Sequence, residues 1–80
     1  MTTRADRAER LEERASRVLD VVRDMTRLLI PVTIWLLTYK LRLTHSQAEY
    51  TVRDLIARGD LAWGPLRDRA RTVVLVDGES

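Results

Sequence analysis

Apolar residues recur at alternating spacings of three and four along the first third of the chain. The series consists of Ala8, Leu11, Ala15, Val18, Val22, Met25 and Leu29. This heptad spacing predicts one long amphipathic helix that packs against a partner along its length. Pro31 sets the end of that helix, because the residue before a proline is pushed out of the helical region of backbone space.

The early part of this stripe is small and lies among many charged residues. It consists of Ala8, Leu11, Ala15, Val18 and Val22. Two interpretations are open: a coiled-coil arm that pairs two copies as a homodimer, or a weak stripe on a solvated helical extension. Sustained heptads favour the arm. We therefore predict a single domain in which residues 1–17 form the extension and dimerisation arm, residues 18–76 the folded core and residues 77–80 a tail.

A second, shorter helix is predicted over residues 31–41, with Pro31 in its first turn, where the missing N–H costs nothing. The inward face of this helix is formed by Ile34, Leu37 and Leu41. Trp35 lies beside that face and, with Trp63 later in the chain, is expected to anchor the core.

The start and the end of a third helix are both marked. Thr44 and Gln47 form a Thr-x-x-Gln capping box, the side-chain pattern that satisfies the first free N–H groups of a helix. Gly59 is placed to end the helix in the left-handed conformation. The residues expected to face the core are Ala48, Val52 and Leu55, at positions i, i+4 and i+7.

Two strands are predicted after Gly59. Residues 61–63 form a short apolar segment, and residues 72–76 have the highest β-propensity in the chain. The basic segment between them predicts the tip of a β-hairpin. Alternation alone leaves open which side of the 72–76 strand is buried. The expected fold is mainly α, with three helices, of which the first is long, and a small two-stranded hairpin.

Composition narrows the choice of function. The chain has 80 residues, no cysteine and one histidine, which excludes disulfides and cysteine-based zinc sites. The longest uncharged run, residues 28–39, is shorter than the ~20 residues that span a bilayer. The net charge is only +2, but between Lys40 and Arg71 seven basic residues face four acidic ones. No triad, glycine-rich phosphate loop or metal-ligand cluster is recognisable, so we expect no enzyme, cofactor, metal or small-molecule ligand.

The order of helix, tight connection, helix, glycine, strand, Arg-rich loop and strand resembles the winged helix-turn-helix family of DNA-binding domains. The matching positions are Leu43 and Thr44 at the turn, Ala48, Val52 and Leu55 inside the third helix, and Gly59, Asp60 and Leu61 leading into the wing. The resemblance covers residues 18–76. The chain departs from the family pattern at Arg42, where a glycine is common.

The resemblance implies that the third helix enters the major groove of DNA while the wing follows the backbone. The implied contacts on the helix are Thr44, His45, Ser46, Gln47, Glu49, Tyr50 and Arg53; those on the wing are Arg67, Arg69 and Arg71. Gln47 is expected to pair with adenine and Arg53 with guanine. The three wing arginines alternate, so they are expected to share one face of an extended strand; ordinary solvated polarity is the alternative for them.

These observations predict a sequence-specific protein that binds double-stranded DNA, either a small transcriptional regulator or an architectural recombination factor. It would act as a homodimer in the cytoplasm, associated with the nucleoid and without a membrane. The alternative is a winged-helix module that binds other proteins and no DNA, which the small net charge and Glu49 on the reading face favour.

Overall fold

A long helix, α1 (Arg4–Arg27), forms one side of the core in the computed structural model, which describes residues 4–76. The predicted tail at residues 77–80 lies outside the described residues. The core-facing residues of α1 are Ala15, Val18, Val22 and Met25, all buried against the other helices and the sheet of the same chain. The heptad spacing therefore predicted the buried face correctly from Ala15 to Met25, whereas Ala8 is exposed and Leu29, which lies beyond the end of α1, is 90% exposed.

The residues that cover this buried face of α1 belong to the same chain and not to a second copy. Ala15, Val18 and Val22 were expected to pair with a second chain, but the single chain already covers them. These three side chains have no surface left for a dimer, contrary to the expectation, because α1 lies across the rest of the domain rather than extending away from it. Only Ala8, which is exposed, and Leu11, which is half-buried, remain for the proposed contact.

Helix α1 ends four residues before Pro31, through a left-handed residue. The N–H of Leu29 donates to the carbonyl of Thr26 (3.1 Å) and the N–H of Ile30 to that of Met25 (2.9 Å), the hydrogen-bond pattern that closes a helix in this way. Leu29 has a φ of 59°. A leucine thus occupies a backbone conformation that favours glycine or asparagine.

The segment after Pro31 is extended, where a helix was expected. Val32 and Thr33 form a short strand, β1 (Val32–Thr33), and helix α2 (Ile34–Leu41) begins only after it. The hydroxyl of Thr33 accepts the N–H of Leu36 (3.2 Å), so Thr33 caps α2 and fixes where it starts.

Leu37 is fully buried at the centre of the inward face of α2. Trp35 lies two positions earlier, outside that face, and is 65% exposed. The prediction that Trp35 anchors the core is therefore wrong, whereas Trp63 is half-buried and packs against the core.

Helix α3 (His45–Arg58) matches its predicted limits, and both bonds of the Thr44–Gln47 capping box are present. The residues predicted to face the core, Ala48, Val52 and Leu55, are all buried. Gly59 is the left-handed C-cap, as predicted (φ 88°). Arg42, between α2 and α3, adopts the same conformation (φ 54°) with its N–H bonded to the carbonyl of Thr38, so the turn forms without the glycine.

Strands β2 (Leu61–Arg67) and β3 (Ala70–Leu75) form an antiparallel hairpin, and β1 pairs with the other edge of β3, giving the strand order β1-β3-β2. The fold is thus mainly helical, with three helices and a three-stranded antiparallel sheet among the described residues. The hairpin was predicted, but the third strand was not. Val73 is buried and Val74 is 39% exposed, which settles the side of β3 that faces the core.

Two local features shape the hairpin. A two-residue turn at Asp68 and Arg69 has positive φ at both positions (50° and 67°), the geometry that matches the twist of a tight hairpin. A bulge sets Gly64 and Pro65 of β2 opposite Thr72 of β3, whose hydroxyl donates to the Pro65 carbonyl (2.7 Å). A Cβ on Gly64 would lie 2.5 Å from that hydroxyl oxygen, so the bulge requires glycine there.

Candidate functional site

A groove of about 330 Å³ runs between the first half of α3, the start of α2 and the tip of the hairpin. We call it the α3–hairpin groove. Its charged and aromatic lining consists of Trp35, His45, Glu49, Arg53, Trp63, Arg69 and Arg71. Among the described residues, three arginines thus face one glutamate, so the groove carries a net positive charge although the chain as a whole is nearly neutral.

One wall of the groove is a single face of α3, because His45, Glu49 and Arg53 follow one another at four-residue intervals. The Arg53 guanidinium lies 2.8 Å from one carboxylate oxygen of Glu49, and the His45 Nδ1 lies 3.7 Å from the other. Such exposed pairs contribute little to stability, but they hold the Arg53 side chain along the helix face. Glu49 is therefore already paired with Arg53, so it repels an anionic ligand less than an unpaired carboxylate would.

Two aromatic contacts define the remaining walls. The rings of Trp35 and His45 lie with their centroids 5.0 Å apart, which ties the start of α3 to α2. Across the groove, the Arg71 guanidinium carbon lies 5.8 Å from the centre of the Trp63 ring, a cation–π contact. Both pairs join residues from different elements, so no local sequence signal could have revealed them.

Gln47 occupies a capping position in the structure. Its side-chain carbonyl accepts the backbone N–H of Thr44 (3.0 Å), while its own N–H donates to the Thr44 hydroxyl (3.1 Å). A bidentate contact with adenine uses the same carbonyl oxygen together with the side-chain NH₂ group of Gln47. In this structure Thr44 and Gln47 are capping residues. The base-reading role of Gln47 stays a prediction, in which the carbonyl oxygen either serves the cap and the base together or leaves the cap.

Ser46 and Tyr50 lie on α3 outside the lining of the groove and remain open to solvent; Tyr50 is 60% exposed. With His45 and Arg53, which are also exposed, they leave the polar flank of α3 uncovered by the described residues of the chain. The exposed flank and the basic side of the hairpin border the same groove.

Arg67 does not belong to this groove. Arg67 is paired with Ala70, whereas Arg71 is paired with Leu66, and successive residue pairs of a hairpin point to opposite faces. Arg71 therefore lies on the α3 side of the sheet and Arg67 on the other side, where it lines a different groove. The expectation that Arg67, Arg69 and Arg71 share one face is wrong for Arg67, because the turn at Asp68 and Arg69 interrupts the strand alternation.

A three-residue ion cluster fixes the far end of α3. Arg58 donates to Glu12 on α1 (Nη1 to Oε2, 3.1 Å) and also pairs with Asp54 one turn before it (2.8 Å). The hydrogen bond from Arg58 and its charge lower the pKa of Glu12, and the bond to Glu12 raises the pKa of Arg58. No local sequence signal marks this link between α1 and α3, since 46 positions separate its two ends.

Among residues 4–76, no cluster of three or more His, Asp or Glu residues is suited to hold a metal ion. None of the described helices combines the length and the apolar character that crossing a membrane requires. The α3–hairpin groove offers arginine donors beside the exposed rings of Trp35 and His45 and the half-buried ring of Trp63. This combination suits an anionic ligand with flat apolar parts.

Comparison with protein-family models finds no match to this chain, and comparisons with curated proteins and with solved structures find none either.

Proposed function

We propose that the protein binds double-stranded DNA sequence-specifically as a winged-helix domain, in the role of a small transcriptional regulator or an architectural recombination factor. One observation supports this above all others. The uncovered polar flank of α3 and the side chains of Arg69 and Arg71 border one positively charged groove. The order α2, left-handed turn at Arg42, α3 and hairpin is also that of a helix-turn-helix unit followed by a wing.

In the proposed mode of binding, the first half of α3 enters the major groove, whose width of about 12 Å accommodates one helix. Arg53 points along the exposed helix face, held by Glu49, and its planar fork can pair with the O6 and N7 atoms of guanine. Ser46 and Tyr50 lie further round the helix, where hydroxyl groups reach phosphate oxygens.

The hairpin supplies the second contact. Arg71, held against Trp63, and Arg69 at the tip reach the phosphate backbone on the side of the duplex that α3 leaves open. Each phosphate that an arginine neutralises releases counterions. The contacts of Arg69 and Arg71 should therefore each steepen the slope of the logarithm of affinity against the logarithm of salt concentration by about 0.9.

The proposal includes a homodimer only through Ala8 and Leu11 at the start of α1, since the other stripe residues are used inside the chain. Two copies on one face of the duplex would read half-sites about one helical turn apart. Such a protein would act in the cytoplasm on nucleoid DNA.

The test compares two sides of one hairpin. Affinity for a random 20-bp duplex is measured from low to moderate salt for the wild type, for the double variant R69A/R71A and for R67A as the matched control. The double variant should bind more weakly and lower the log–log salt slope by about two. R67A should match the wild type, because Arg67 lies on the opposite face. Equal losses in both variants, or no binding of any duplex at low salt, would refute the proposal.

A module that binds proteins instead of DNA is the second candidate. It is favoured by Trp35 and Tyr39, which lie one turn apart on α2 and are 65% and 82% exposed. Exposed tryptophan and tyrosine side chains are frequent hot spots of protein interfaces. Absence of duplex binding in the assay above would leave this candidate as the favoured one.

A further inference from the structure

A second groove, of about 360 Å³, lies on the face of the sheet opposite the α3–hairpin groove. We call it the back groove. Apolar side chains from the loop after α1 and from the outer face of the hairpin line it, namely Leu29, Ile30, Pro31, Pro65 and Val74. Leu29 is 90% exposed, and Ile30 and Val74 are also open to solvent. Contiguous apolar surface of this kind on a small domain marks an interaction site more often than chance exposure does.

Leu29 is the least expected residue of this surface. It ends α1 in the left-handed conformation, where the backbone hydrogen bonds need no side chain and where a bulky residue is strained. Glycine or asparagine would close the helix at lower cost. The side chain of Leu29 is also almost fully exposed, so it contributes little to the core. Folding therefore gives no reason for a leucine here, whereas binding of a partner does.

Charge identifies the kind of partner. Among residues 4–76, Arg67 is the one charged side chain that lines the back groove, and no acidic residue of that range lines it. Within the described part of the chain, Arg67 makes no ion pair. A second copy docked face to face would bring its own Arg67 and no carboxylate from this surface. An acidic side chain would complement the surface better than a second copy does.

The sheet edges indicate how such a partner would be recognised. The free edge is only two residues long at β1 and begins after Pro31, and the other edge carries Pro65 in β2. Short edges with proline resist the addition of another strand. Recognition therefore depends on side chains in the groove and not on backbone pairing.

We propose that the back groove binds a short segment of a partner protein that presents apolar side chains next to an acidic residue. The apolar side chains cover Leu29, Ile30 and Val74, and the acidic residue pairs with Arg67. Because the α3–hairpin groove lies on the other face of the sheet, both surfaces can be occupied at once. This inference is independent of DNA binding.

The test selects ligands from a random 12-residue peptide library displayed on phage, with the full chain as bait and L29N for counter-selection. The most enriched peptide is then synthesised with a fluorescent label, and its affinity is measured by anisotropy for the wild type, L29N, R67E and L28N. Leu28 is the matched control, since it is exposed and adjacent but does not line the groove.

We expect enriched peptides that combine apolar and acidic residues. L29N should weaken binding about tenfold or more, as loss of an interface anchor does, and R67E about threefold or more. L28N should stay within about twofold of the wild type. Asparagine suits the left-handed conformation, so the melting temperature of L29N should not fall.

Four outcomes would overturn the proposal: no enrichment over L29N, enrichment of basic peptides, equal losses in L28N and L29N, or a lower melting temperature for L29N. The last result would assign Leu29 a structural role. Sedimentation velocity of the wild type adds a fifth, because self-association that L29N abolishes would assign the back groove to a second copy.

Discussion

Replacement of Gln47 separates two roles that the same residue could have, the cap of α3 and the recognition of a base. In the structure, the side-chain carbonyl of Gln47 accepts a hydrogen bond from the N–H of Thr44. Gln47→Ala removes that hydrogen bond but leaves the bond from its own backbone N–H to the Thr44 hydroxyl. Gln47→Glu keeps an acceptor at the same place and adds a negative charge at the positive end of the helix.

The expected change in unfolding free energy for each alanine variant follows from the loss of one exposed hydrogen bond. Its loss in Gln47→Ala should cost about 0.5 kcal/mol of unfolding free energy, the lower end of the range for such bonds. Thr44→Ala removes the bond that the hydroxyl accepts and should cost about 1 kcal/mol. For a domain of this size, these values correspond to decreases in melting temperature of roughly 2–4 °C and 4–8 °C. Gln47→Glu should be at least as stable as the wild type.

The assay combines thermal unfolding with selection of bound oligonucleotides from a random pool. Gln47→Ala should lower the affinity for all selected sites alike, because it loosens the start of α3 without removing a base contact. Arg53→Ala is the control, and it should lose about 1–3 kcal/mol of discrimination at one base pair. Unchanged stability in Gln47→Ala, together with a lost preference at a single base pair, would show that Gln47 reads a base and that the capping argument is wrong.

The remaining predictions concern stability. Gly59→Ala should cost about 1 kcal/mol of unfolding free energy in urea, because a φ of 88° strains any side chain; a new Cβ would meet no atom within 4 Å, so no clash adds to this cost. Arg42→Gly should instead stabilise the protein by a few tenths to 1 kcal/mol, because glycine relieves the same strain. Changes of the same sign in the two variants would contradict this reasoning. Gly64→Ala should cost roughly 1–3 kcal/mol and increase amide exchange in the hairpin, because its Cβ would collide with side chains of β3; normal protection would argue against the bulge. The lowered pKa of Glu12 means that its pairing with Arg58 stabilises the fold above the unfolded-state pKa and is lost as pH falls through the folded-state pKa. Glu12→Gln should therefore lose less stability than the wild type between neutral and strongly acidic pH, and parallel urea-unfolding profiles would exclude this contribution.

Local signals were sufficient for α3 and for most of the hairpin. The capping box at Thr44, the buried spacing through Ala48 and Val52, and the glycine at position 59 each act within a few residues of the chain. Such signals depend on hydrogen bonds between neighbouring residues and on one periodic face, both of which a sequence displays directly.

The segment from Pro31 to Thr33 could not be predicted in this way. Its proline and the apolar residues after it fit the start of a helix equally well. The strand forms because Val32 pairs with Val73 and Thr33 with Thr72, about forty positions further along. A pairing over that distance has no local signal, and it delays the start of α2 to Ile34.

The candidate site likewise combines features that the sequence displays locally with features that depend on long-range packing. The polar flank of α3 follows from the helix period, so His45, Glu49 and Arg53 could be placed on one face in advance. The positions of Arg69 and Arg71 depend on where the hairpin turns, and the spacing of the arginines does not reveal the position of the turn. The burial of Val18 and Val22 likewise depended on whether α1 crosses the domain or leaves it.

The hairpin register determines which surface each arginine serves. Gly64 and Pro65 together oppose the single residue Thr72, so the bulge contributes one extra residue to β2 before the tip. Residues 63 and 66 lie three positions apart, so strict alternation would place their side chains on opposite faces of β2. Because the bulge sets two residues opposite one, Trp63 and Leu66 instead share the face of their partners, Val73 and Arg71. The cation–π contact between Arg71 and Trp63 therefore depends on the bulge. The next pair, Arg67 with Ala70, points to the other face, so the charge of each groove follows from the hairpin register and not from composition alone.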